Sequence, residues 1–230
     1  MTLLLYYHPF SSYCQKALMA LYEKELEFER FQIDLGDARQ RAEFAALWPF
    51  AKFPVLQDMA RNVTIPEATL IVEHADAIGT AGPALVPQEP AEGRTVRLLD
   101  RVLDNYLHTP LQKIVGDRLR PEDKRDPFGI AEARALIATT CQLLESRVSA
   151  TGWFRGSNFT LADCAAAPPL FYVHKVAGLD AYPLLERYLK RLLERPSFRR
   201  CLDEARHFRP FFPGEASDRE WIDGERPLSF

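Results

Sequence analysis

The apolar pattern of this chain changes once, near residue 80, and that change limits the folds open to it. Before it, short apolar runs alternate with helical stretches; after it, nearly every apolar residue falls at helical spacing. Leu3-Leu4-Leu5-Tyr6-Tyr7 opens the first part and stops at His8-Pro9. Its length and flanks read as a strand buried on both faces. Ser11 or Ser12 then caps a helix carrying Ala17, Leu18, Leu21 and Tyr22. Leu26 to Ile33 reads as a second strand. Gly36-Asp37 precedes an alanine-rich helix that Trp48-Pro49 ends, because proline disfavours helix for the residue before it. Val55 to Asp58 and Val63 to Ile65 read as short strands, and Pro66-Glu67 starts a helix bearing Leu70, Ile71, His74 and Ile78. The order βαβ, helix, ββ, helix describes a small α/β domain with a mixed sheet over residues 1–80.

Residues 81–92 read as a proline-stiffened linker, and 93–212 as an all-helical domain. Its stripes are Val96, Leu99, Leu103, Tyr106 and Leu107; Ile137, Cys141, Leu144 and Val148; and Leu185, Tyr188, Leu189, Leu192 and Leu193. Thr160-Leu161-Ala162-Asp163 forms a capping box with Asp in place of Glu, heading a nearly all-apolar helix placed at the domain centre. The arginines between Arg187 and Arg209 read as a solvated face. Residues 213–230 form a polar tail with Trp221, which either lies over the cleft between domains or frays.

Composition excludes several functions. With 29 basic and 32 acidic residues the net charge is −3, which leaves no electrostatic footprint for nucleic acid or an anionic membrane. No apolar run approaches the ~20 residues of a membrane span, and no signal peptide is read at the N-terminus. Cys14, Cys141, Cys164 and Cys201 are scattered, which suggests free thiols in a reducing, cytoplasmic setting. No C-x-x-C or H-E-x-x-H occurs, so no metal is expected.

The chemistry-bearing segment is His8 to Lys16. A strand-to-helix turn aims backbone N–H groups and the positive end of a helix dipole at whatever lies there. Ser11-x-x-Cys14 has the spacing of a redox C-x-x-C whose first cysteine is serine, which cannot form the disulfide but can donate a hydrogen bond to a thiolate. Downstream, Lys52-Phe53-Pro54-Val55 places a proline ahead of the third strand. A cis Phe53–Pro54 bond there would turn the Phe53 backbone outward to pair with an extended peptide. Glu67-Ala68 begins a helix whose first N–H groups suit a carboxylate. On their own residues, Ser11 and Ser12 also read as plain helix caps.

In this order and spacing, Ser11 in S-x-x-C, Phe53-Pro54, Glu67 and Thr160-x-x-Asp163 resemble the glutathione S-transferase superfamily of the serine type, over the chain up to about Arg209. The resemblance implies a thioredoxin-like N-terminal domain and an all-α C-terminal domain. It implies glutathione as co-substrate, a small apolar electrophile, and a cytoplasmic homodimer active in detoxification. Ser11 matches the residue that activates the glutathione thiol, and Ser12 its neighbouring backup. Phe53 matches the residue whose backbone pairs with the cysteinyl part, Pro54 the cis proline, and Lys52 a residue near the glycyl carboxylate. Glu67 and Ala68 match the pair that holds the γ-glutamyl end, and Asp104 an acidic residue that some classes offer across the dimer. Phe10 and Tyr106 are the expected walls of the electrophile pocket. The pattern departs at Ala68, where the family usually has serine; the N–H is kept, and one hydrogen bond to a charged group, about 1.5–3 kcal/mol, is lost. Two other functions share the scaffold: a glutathione-dependent isomerase or dehalogenase, and a non-catalytic binding or regulatory protein.

Overall fold

The structure, a computed structural model, describes residues 2–34 and 36–224. The first domain contains β1 (Leu3–Tyr7), α1 (Ser12–Glu23), β2 (Glu29–Gln32), α2 (Ala38–Leu47), β3 (Val55–Asp58), β4 (Val63–Pro66) and α3 (Ala68–Ile78). The sheet order is β2-β1-β3-β4, with β1 and β2 parallel and the other pairs antiparallel. Leu3, Leu5 and Tyr7 enter the core shared with α1 and α3, while Tyr6 packs with Ile33 and Phe44 under α2. The central strand is thus covered on both faces, as its unbroken apolar run requires. β2 is shorter than the apolar run Leu26 to Ile33, because Leu26 N–H still closes the end of α1 on the Leu21 carbonyl at 3.0 Å.

The second domain contains α4 (Pro90–Val102), α5 (Thr109–Arg118), α6 (Pro127–Glu145), α7 (Leu161–Val176), α8 (Pro183–Glu194) and α9 (Pro196–Ala205). α4 starts inside the stretch read as linker: the Glu89 carboxylate caps Ala91 and Glu92 N–H at 3.0 and 2.7 Å, and Pro90 fills the first turn. Between α4 and α5, Leu103–His108 form a π turn. Pro110 has no N–H to return to the Tyr106 carbonyl, which instead accepts the Thr140 hydroxyl from α6 at 2.8 Å. That bulge leaves the Tyr106 side chain outside the helical stripe, 51% exposed.

α1 is buried on nearly all sides because it lies between the sheet and the helices α7 and α9. α7 occupies the centre of the helical domain, and its capping box is formed: Asp163 Oδ2 accepts Thr160 N–H at 2.8 Å. Asp163 Oδ1 also accepts Phe154 N–H at 3.0 Å and the Tyr188 hydroxyl at 2.5 Å. One apolar core runs through both domains.

The end of the arginine-rich segment is not a solvated face. Arg206 and Arg209 are buried and pair with Asp223 at 3.0 and 2.5 Å, and Arg195 reaches Glu23 at 2.5 Å. Arg118 pairs with Asp218 at 2.8 Å, and Trp221 stacks on Phe171 at 5.4 Å. Residues 213–224 are therefore laid against the helices; 225–230 of the expected tail lie outside the described residues.

Candidate functional site

Strand register brings three segments to one edge of the sheet. Tyr6 pairs with Val55, and Val55 with Pro66. The loop after β1, the Phe53-Pro54 step before β3 and the Glu67 turn after β4 therefore lie side by side, at the N-termini of α1 and α3.

The first loop is held from beneath. Gln15 Nε2 donates to the Pro9 carbonyl at 3.1 Å, Ser11 N–H to the His8 carbonyl at 3.0 Å, and Phe10 N–H to His8 Nδ1 at 3.2 Å. Ser11 is the N-cap of α1, and its oxygen accepts Cys14 N–H at 3.3 Å. The hydroxyl keeps its hydrogen to donate, next to the positive end of the helix. Cys14 is fully buried, and burial pushes its thiol up to about 12, so it is no nucleophile.

Ser12 is placed elsewhere. It is 3% exposed and faces the domain interface, where its oxygen shares a 2.5 Å hydrogen bond with His108 Nε2 and accepts Gln112 Nε2 at 3.2 Å. As the first residue of α1, one position past the cap, it turns toward α5 rather than the loop. Burial, with the Lys16 charge adding to it, pushes His108 down to about 3, so the imidazole is neutral; it stacks on Tyr13 at 3.8 Å.

The second segment is a turn closed by Ala51 N–H on the Trp48 carbonyl at 2.8 Å, with Ala51 at φ +48°. Lys52 is exposed and Pro54 buried. The Phe53–Pro54 bond is cis, and the β ladder begins only at Val55. The Phe53 ring lies 6.2 Å from that of His8, which ties this turn to the first loop.

The third segment carries Glu67 at φ +70°, a conformation that a side chain disfavours. Among the described residues no side chain caps α3, so the first amides of the helix, from Ala68 onward, have no side-chain partner there. Just behind lies a buried ionic cluster. Lys16 Nζ, on α1, touches Asp100 at 2.5 Å, Asp104 at 2.8 Å and Thr69 Oγ1 at 2.9 Å. Arg101 joins through Asp100, Asp104 and Thr69. Asp104 is thus engaged within its own chain. Burial raises its pKa, and Lys16 opposes that shift.

Phe10 and Tyr106 are not brought together by any ring contact. Phe10 meets Tyr172 and Phe212 edge-on at 6.0 and 6.2 Å, and Phe208 meets His8 at 4.6 Å. The aromatic wall beside the first loop therefore comes from α7 and the segment after α9. Sequence reasoning missed Tyr172, Phe208 and Phe212; the aromatic density of His207 to Phe212 was the available signal. Clefts of about 210 Å³ under α2 and 230 Å³ between α5 and α6 lie away from this edge. Among the described residues no group of three His, Cys, Asp or Glu could hold a metal ion, and no helix is long and apolar enough to cross a membrane.

Residues 5–80 match the family described as glutathione S-transferase, N-terminal domain, and residues 127–191 the glutathione S-transferase, C-terminal domain. Glutathione S-transferase F10 of Arabidopsis thaliana is 30% identical over 171 residues, covering 70% of this chain and 77% of the relative. The glutathione S-transferase of Methylobacterium radiotolerans, solved with glutathione sulfonate, is 25% identical with a TM-score of 0.76, covering 87% of this chain and 94% of the other. That of Methylobacillus flagellatus, solved with glutathione bound, is 22% identical with a TM-score of 0.78, covering 87% and 98%. Matched in both domains and related at this level over most of its length, the chain belongs to the glutathione S-transferase family.

Proposed function

We propose that the protein is a glutathione transferase in which Ser11 ionises the glutathione thiol for attack on a small apolar electrophile. The observation that carries this reading is the sharing of one sheet edge by the α1 cap at Ser11, the Phe53-Pro54 step and the uncapped start of α3 at Glu67 and Ala68. Glutathione lies extended across them. Its cysteinyl backbone pairs with Phe53 ahead of Val55, its glycyl carboxylate lies toward Lys52, and its γ-glutamyl end meets the Ala68 amide beside Glu67. The sulfur then sits by the Ser11 hydroxyl.

A free thiol has a pKa of about 8.5, so about 3% is thiolate at pH 7. A hydroxyl bond and a helix N-terminus together supply the roughly 2.7 kcal/mol needed to lower that by about two units. Ser11 donates a hydrogen bond and takes no proton. The thiol proton leaves to solvent, the sulfur bonds to the electrophilic carbon, and the leaving group departs with its electron pair. Phe10, Phe212 and Phe208 favour an apolar, aromatic electrophile on that side.

A cytosolic homodimer with a detoxifying role belongs to the same proposal. Val63 on the edge strand β4, Met59 in the turn before it and Leu70 on α3 are exposed apolar residues, suited to a surface that a second copy would cover. All four cysteines are free and buried, in keeping with a reducing compartment. The test is calorimetric titration with glutathione followed by conjugation of chlorodinitrobenzene. Saturable binding and turnover are expected; no heat at millimolar glutathione would end the proposal.

A further inference from the structure

The γ-glutamyl end of glutathione presents one ammonium and one α-carboxylate. At position 68 this chain offers a methyl group where the family pattern has a hydroxyl, so the carboxylate lacks a side-chain donor there. Thr69, the next hydroxyl, is already committed. Its oxygen accepts Lys16 Nζ at 2.9 Å and Arg101 Nη2 at 2.7 Å, and lies 3.1 Å from Asp100 Oδ2. Lys16 is 1% exposed and spent on two carboxylates.

Arg101 differs from both. Its side chain is 50% exposed, and its bonds run through Nε and Nη2, leaving Nη1 without a hydrogen-bond partner among the described residues. Asp100 is fully buried and takes Nε and Nη2 together at 3.0 and 2.7 Å, which fixes the plane of the guanidinium. The Nη2 bond to Thr69 brings that plane against the first turn of α3, and the charge of Glu67 reaches it. A second observation points the same way. Asp104 is 8% exposed, and its Oδ1 has no hydrogen-bond partner among the described residues, so Lys16 and Arg101, both bound to Oδ2, do not saturate this carboxylate.

We propose that Arg101 is the carboxylate anchor of the γ-glutamyl subsite, presenting a charged donor beside the first amides of α3 in place of the hydroxyl missing at position 68. Asp100 and Lys16 are positioning residues: one holds the guanidinium flat, the other balances the two buried carboxylates. Arg101 and Lys16 against Asp100 and Asp104 leave the cluster neutral, so a zwitterionic amino-acid end fits without a charge surplus. The subsite selects thiols that carry a free α-carboxylate on a γ-linked residue. This inference rests on the glutathione reading above.

The test compares glutathione with γ-aminobutyryl-cysteinylglycine, which keeps the amine and lacks the α-carboxylate, by calorimetry on the wild type and Arg101→Gln. The wild type is expected to prefer glutathione by about tenfold or more, and Arg101→Gln to lose most of that preference by weakening glutathione alone. Arg101→Lys should recover only part, and KM should move while kcat holds. Undiminished glutathione binding by Arg101→Gln, or equal weakening of both ligands, would overturn the assignment. If Arg101→Gln does not fold, Ala68→Ser decides. It should tighten glutathione by less than about twofold, since the carboxylate is already held, and a tenfold gain would refute the anchor. A wild type that binds neither ligand would overturn this inference together with the function beneath it.

Discussion

Replacing Ser11 by alanine separates its two roles, and the size of each can be worked out beforehand. As N-cap, the Ser11 oxygen accepts Cys14 N–H at 3.3 Å, a long bond. Its loss should cost stability toward the lower end of the cap range, about 0.5–1 kcal/mol. As donor to a thiolate, the hydroxyl is worth about 1.5–3 kcal/mol, which is roughly one to two pKa units on the bound thiol. If the wild-type complex titrates near pH 6.5, about three quarters of the thiol is ionised at pH 7. The variant then keeps between about 20% and 2%, so turnover should fall roughly four- to forty-fold at pH 7. The gap should nearly close at pH 9, where even the variant ionises. The assay is the pH profile of kcat at saturating glutathione, with the affinity measured alongside. An inflection at the same pH in both proteins would refute the assignment and leave Ser11 as a helix cap only. Ser12→Ala is the contrasting case. It strips the buried His108 of its partner and removes an acceptor of the exposed Gln112, so it should lower stability by about 1–3 kcal/mol and leave the inflection in place.

Three further outcomes follow from buried groups. His108 is held near 3 in the folded protein against an ordinary 6.5, so between those pH values the unfolded chain takes up a proton that the folded chain refuses. Stability should therefore decline as pH falls from about 6.5 toward 3, by on the order of 4 kcal/mol from this residue, and His108→Gln should flatten the decline in urea titrations across that range. Asp163→Ala removes the acceptor of Phe154 N–H, Thr160 N–H and the Tyr188 hydroxyl, and should cost about 3–5 kcal/mol by urea unfolding; a loss under about 1 kcal/mol would contradict the buried network. Burial pushes Cys14 and Cys141 up to about 12 and raises Cys164 and Cys201 as well. The folded protein should thus resist a disulfide-exchange reagent at mildly alkaline pH, and all four thiols should react once it is unfolded; rapid reaction of any one in the native state would show the packing to be looser.

Local signals carry the fold. An unbroken run such as Leu3–Tyr7, bounded by His8-Pro9 and followed by a cap and a helical stripe, has few alternatives, and Thr160 with Asp163 marks its helix within four residues. The edge on which Ser11, Phe53 and Glu67 gather follows from strand order, which the sequence of elements already suggests. What stays hidden depends on contacts between distant segments. Ser11 and Ser12 are equivalent as caps until α5 brings His108 and Gln112 against one of them. Tyr106 belongs to an apolar stripe until Pro110 bulges the helix and turns it out. The tail looks polar and unattached because its partners are far away in the chain: Arg118 is 100 residues from Asp218. Charge complementarity at that separation leaves no periodic trace.

The aromatic wall has a consequence for biosynthesis. Phe10 leaves the ribosome about 160 and 200 residues before the rings that flank it, Tyr172 and Phe212. A nascent chain that has released only its first domain holds the Ser11 loop without the aromatic wall beside it. The loop and its aromatic wall thus come together at widely separated moments of translation, and the wall is complete only when the strap tethered by Asp218 and Asp223 has docked.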